Sequence, residues 1–196
     1  MARPSKQRRR WTGHLPRFAQ STSGATAVEF GFLATPFIGL ICSLMELSWV
    51  SYNAEMLQAA VTAASRAVLT GQAQTNNIAD APTFVSKLLC PTNGTRILPA
   101  SFDCTKLIVD VRTATQFSTT DTSHGFYTQP LQFCLGQPST IVVVRVAYPQ
   151  PSILPLSLIN QYVGLTNSFP NKTGWVHALV GTAVFQTEPY GGSAPC

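Results

Sequence analysis

Two sets of residues in this chain are spaced for chemistry: single carboxylates in an apolar run, and an even group of cysteines. Glu29 lies in GATAVEFGFLATPFIGL (24–40), at the start of the most apolar stretch. A carboxylate in hydrocarbon costs a few kcal/mol unless it is partnered, so Glu29 calls for a partner. Glu46, near the other end of the run, has none in view. Solvation by headgroups and contact with a partner helix are both open readings for it. Cys90, Cys104, Cys134 and Cys196 form the even set, the pattern of disulfides in an oxidising compartment. Cys42 falls inside the apolar run and reads as a small buried hydrophobe.

Catalytic chemistry finds little to work with. His14 lies in a basic N-terminal tail, His124 in the turn-like STTDTSHG, and His177 at the start of a strand pattern. Cys134 and His124 have the types of a nucleophile and base, but the even cysteine set assigns Cys134 to bridging. No Cys/His spacing suits zinc, no glycine-rich phosphate loop appears, and no cofactor is expected. The sequons at Asn93 and Asn171 read as chance matches.

The elements that position these residues follow from charge and periodicity. Of the 196 residues 11% are charged, against roughly 25% in an ordinary soluble domain. Residues 1–26 hold six cations and no acid, whereas 27–196 hold seven cations and eight acids. A basic tail directly before an apolar run fits a cytoplasmic N-terminus better than nucleic-acid binding, and no nucleic-acid partner is expected. Val28 to about Val50 supplies the roughly 20 apolar residues that a spanning helix needs. That run is too long for a cleaved secretory signal, and no small-residue cleavage site follows it.

The helical pattern continues beyond the membrane, with Leu57, Val61, Ala64 and Val68 on one face and Gly71 as the stop. Pro36 should bend the helix without ending it. Asp80 should cap a short helix with Pro82 in its first turn. LIVDVRT (107–113) and HALVGTAVFQTE (177–188) alternate as strands, and TIVVVRVAY (140–148) reads as a buried strand ended by Pro149 and Pro151. Residues 153–165 read as a short helix. The fold class is α+β, a long N-terminal helix with a head of about three antiparallel strands and short helices, the general plan of a pilin-like protein. Four cysteines allow three pairings. Cys90 with Cys104 is expected, since a helix end and a strand start lie close, which leaves Cys134 with Cys196.

GATAVEF, with a Gly, four residues, then Glu and an aromatic, resembles the processing site of Flp-type prepilins. With Pro36, Glu46-Leu47, ASRAVLTGQAQ (64–74), CTKLIVDVRT, TIVVVRVAYPQP and AVFQTEPY, the chain is similar to the TadE family of pseudopilins of the tight-adherence pilus system. The resemblance implies a minor pilin or assembly factor, acting through protein contacts and without enzymatic activity. It also implies a place in the bacterial inner membrane, with the head periplasmic. The implied partners are other pseudopilins, the pilus assembly platform and a prepilin peptidase that cuts after the motif Gly.

The site residues carried over are Gly24, Ala25, Glu29 and Phe30. Gly24 lets the backbone enter a tight protease cleft. Cutting there creates an ammonium on Ala25, one turn from Glu29, which also favours the positive end of the helix dipole. The expected divisions are a leader at 1–24, a transmembrane and stem helix at 25–71, and a head at 72–196. A membrane-anchored binding module unrelated to pili is the alternative. It has no need of Gly24 and Glu29 in that spacing.

Overall fold

The computed structural model describes residues 23–91, 97–153, 165–170 and 174–189. The basic residues of the leader, both sequons, Cys196 and most of the helix expected over 153–165 lie outside the described residues. The chain falls into two compact units, Met1–Leu44 and Met45–Cys196.

Helix α1 runs from Ser23 to Leu69 with Pro36 inside it. Within the first unit its apolar side chains are exposed, among them Val28, Phe30, Phe32, Leu33 and Phe37. The hydroxyls of Thr35 and Ser43 donate to the carbonyls of Gly31 and Gly39, at 2.7 and 2.8 Å. Both polar groups are thus satisfied inside the helix, as a lipid environment requires. The helix is long and apolar enough to cross a membrane.

In the second unit the same helix becomes one-sided. Leu57, Ala60, Val61, Ala64 and Val68 are buried, the seam its periodicity predicts. Gly71 then takes φ 75°, a left-handed geometry that glycine adopts at low cost and that stops the helix.

The seam lies on an antiparallel sheet of four strands in the order β1-β2-β4-β3. β1 is Ile108–Ala114, β2 Ile141–Pro151, β3 Leu165–Thr166 and β4 Val176–Gln186. Their pairing puts Val109, Val111, Val142, Val144, Val146, Tyr148, Leu179 and Gly181 on one face, and α1 covers it. The close approach is tightest at Gly181, where a Cβ would lie 2.8 Å from Val61 Cγ2. Asp80 caps the helical turn Ala81–Phe84 by accepting from Thr83 N–H at 2.8 Å. Val85–Leu89 continues as a π turn and leads to Cys90, which is bonded to Cys104. That is the pairing read from the sequence.

Two sequence readings need correction. Pro149 does not end β2: the strand runs on to Pro151, its last residue, and the two prolines pair with Ala178 and Val176 of β4. β1 ends opposite Ala147, so the side of β2 that would face it is free at both prolines. Thr182 turns its backbone groups away from β2 (below), so its pair with Arg145 lacks ladder hydrogen bonds. By the two-residue alternation, so do the pairs at Pro149 and Pro151. The missing N–H groups therefore break no bond. The second correction is Leu165, placed at the end of a helix by the sequence. It is a strand residue paired with His177.

Candidate anchoring and assembly site

The processing motif sits on the first turns of α1. A Cβ on Gly24 would meet nothing within 4 Å, and the same holds at Gly31 and Gly39. Among the described residues no packing requires glycine at these points. Glu29 and Phe30 are exposed, and Glu29 makes no hydrogen bond or ion pair with another described residue. Among the described residues nothing covers the motif.

Glu46 behaves differently. Sequence reading left it without a partner, and the structure gives it three. The Ser152 hydroxyl and the Ile153 N–H donate to its Oε1, the latter at 3.3 Å. His177 Nε2 lies 3.4 Å from the same oxygen. The carboxylate is 7% exposed, so burial and three partners hold it in one place. A serine–histidine relay needs imidazole between hydroxyl and carboxylate. Here the carboxylate is the centre, so the cluster is a latch and no nucleophile is activated. Helical spacing was the one signal available: Glu46, Asn53 and Leu57 continue the seam backwards. Ser152 and His177 carry no local signal of their role.

Two further polar contacts fasten the helix to the sheet. Buried Asn53 donates through Nδ2 to Gln150 Oε1 at 3.5 Å. Gln58 Nε2 donates to the Thr182 carbonyl and Thr182 N–H donates to Gln58 Oε1, each at 3.0 Å. The side-chain amide thus stands where another strand would pair, which closes the edge of β4 at that point. On the wheel Gln58 reads as solvent-facing, and nothing in the sequence separates it from Thr62 or Arg66.

The opposite face of the sheet carries a buried charge network. Arg145 and Asp110 pair across β2 and β1 and are both fully buried. Arg145 Nη2 donates to Asp110 Oδ2 at 2.7 Å and its Nη1 to the Asp121 carbonyl at 2.9 Å. Its guanidinium lies 4.8 Å from the centre of the Phe126 ring. Arg112 Nε donates to Asp110 Oδ2 at 2.9 Å, and Gln132 N–H to Oδ1 at 2.8 Å. The network pins the 115–134 segment over this face. Hydrogen bonds from Ser123, then from Arg145, lower the Asp121 carboxyl to about 2. Arg145 spends its Nε, Nη1 and Nη2 on partners within the protein, so the arrangement reads as structural.

Among the described residues no cluster of His, Cys, Asp and Glu could hold a metal. His124 is exposed in its loop. A groove of about 460 Å³ beside the disulfide, lined by Pro82, Val85, Leu107 and Leu131 among others, offers no titratable side chain. The expected bond of Cys134 to Cys196 lies outside the described residues. No curated protein and no solved structure gives a match. Residues 24–66, the segment that carries Gly24, Ala25, Glu29 and Phe30, match the family model described as TadE-like protein.

Proposed function

We propose that this chain is a minor pilin or pseudopilin of a Tad/Flp-type pilus, an assembly factor that works through protein–protein contacts. The observation that carries the reading is the coincidence of the TadE-like match at 24–66 with an exposed apolar helix bearing Gly24, Glu29 and Phe30. In this reading residues 1–24 are a cytoplasmic leader, 25–71 a transmembrane and stem helix, and 72–196 a periplasmic head in the bacterial inner membrane. A prepilin peptidase cuts between Gly24 and Ala25. The new ammonium on Ala25 pairs with Glu29 of the same or a neighbouring subunit, and Phe30 packs beside it. Other pseudopilins and the assembly platform are the partners.

Mass spectrometry of the protein from its native host, joined to cross-linking in vivo, tests the proposal. The expected results are a mature N-terminus at Ala25 and cross-links to pseudopilins or the platform. An N-terminus at Met1 or Ala2 removes the processing step. Cross-linked partners that include no pilus component overturn the function.

A further inference from the structure

We infer that the end of the head that receives Glu46 is seated in the interfacial layer of the bilayer, with Ile153 and Trp175 immersed beside Trp49 and Tyr52. The inference rests on the reading of α1 as a membrane helix. The apolar run of the sequence ends at about Val50, so Glu46 lies one helical turn inside its boundary. A carboxylate at that depth needs donors, and the head brings them. The Ser152 hydroxyl, Ile153 N–H and His177 ring all converge on Glu46 Oε1. Those donors stand just past the end of β2 and at the start of β4, so this end of the sheet shares the level of Glu46.

The side chains around the latch have the chemistry of that layer. Ile153, whose own N–H holds Glu46, is 70% exposed; Trp175, two residues from His177, is 42% exposed. Trp49, one turn from Glu46, and Tyr52 are 40% and 52% exposed and stack with ring centres 6.2 Å apart. Tryptophan and tyrosine concentrate at membrane–water boundaries, where an amphipathic ring finds both its solvents. An aqueous surface gives no reason to expose these four together. By sequence, residues 146–171 contain no Asp, Glu, Lys or Arg, so the chain that leaves this end at Ile153 and returns at Leu165 carries no charge away from the membrane. On α1 the first charge past Glu46 is Glu55, more than two turns further from the apolar run. A bilayer boundary that passes through Trp49 and Tyr52 leaves the latched Glu46 as the one charged side chain of α1 between Phe30 and that boundary.

The test uses the full chain in vesicles of phosphatidylcholine and phosphatidylglycerol, with or without bromine on the acyl chains. Two of the three tryptophans (Trp11, Trp49, Trp175) are replaced by Phe in each variant, so that one remains to report. A fourth protein lacks all three and carries Ile153→Trp. The Trp175 reporter should emit to the blue of the denatured chain and lose intensity to brominated lipid as strongly as the Trp49 reporter. The Ile153→Trp reporter should do the same. Quenching of Trp49 with solvent-like, unquenched emission from both head reporters overturns the inference, keeps the membrane helix, and assigns the exposed residues to a protein partner. Failure to quench Trp49 overturns the membrane reading itself.

Discussion

Arg145 shows how one residue organises a face of the head. Its guanidinium is fully buried, a position tolerable only because Asp110 neutralises it and Asp121 and Phe126 complete its shell. Removing one partner leaves a bare charge in the interior, which costs about 3–5 kcal/mol. Asp110→Ala should therefore lower the denaturation midpoint of the head sharply. The double change Asp110→Leu, Arg145→Met should cost much less, because no charge is left behind. Asp121 adds a pH dependence. Its carboxyl is lowered from the usual 3.8 to about 2, so its ionised form stabilises the fold above about pH 4. That contribution fades as the pH falls from about 4 to 2. Asp121→Asn should flatten the acid limb of a stability–pH profile, with the remaining slope owed in part to Asp103, lowered to about 2 by Lys106 and Thr105. An unchanged limb would show that Asp121 is uncoupled from folding. The sequence disclosed half of this network. A lone Arg in a β-branched run marks a buried strand, but Asp110 alternates with valines and so reads as solvent-facing. Only the register that sets Asp110 opposite Arg145 makes it a partner.

At the scale of elements, the contact between α1 and the sheet decides whether the head folds as one piece. The seam was legible because its buried residues recur at three- and four-residue steps, which is geometry that the sequence encodes directly. Its polar fasteners were not. Gln58 and Asn53 look like any solvated residue until the strands across from them are known, and Gly181 reveals its purpose only when Val61 lies above it. Val61→Asp should destabilise the head by several kcal/mol, seen as rapid proteolysis of the folded protein. Gly181→Ala is the subtler test. Its Cβ would come within 2.8 Å of Val61 Cγ2, and overpacking of this kind costs roughly 1–3 kcal/mol. Combining it with Val61→Ala should recover part of the loss, whereas simple additivity would mean that the two side chains do not meet. The Cys90–Cys104 bridge closes a separation of 14 residues, worth about 3 kcal/mol through the unfolded chain. Cys90→Ser with Cys104→Ser should lower the urea midpoint accordingly. A midpoint insensitive to both would place the bridge outside the cooperative unit.

For the whole molecule, the two carboxylates of the apolar run divide the labour that the sequence could only hint at. Glu46 is satisfied by the chain's own head. Glu29 has no partner among the described residues and lies exposed beside Phe30. A membrane carboxylate left open in this way is a place for another group to bind, and a freshly cut N-terminal amine has the right charge and reach. Cleavage and association should then respond to different residues. On the proposed reading, replacing Gly24 with Leu should block cutting, since no described residue lies where its side chain would be and a small residue there would suit the peptidase cleft. The uncut protein should accumulate in the membrane with its head folded, because the head belongs to the compact unit Met45–Cys196. Glu29→Gln should be cut normally yet recover fewer partner subunits on co-purification, because the amine loses its counter-charge while the shape of the side chain is kept. Glu46→Gln is the control for charge as such. It should weaken the latch and the protease resistance of the head, yet leave cleavage unchanged. Equal partner recovery by Glu29→Gln and the unaltered protein would return Glu29 to a solvated acid at the membrane edge.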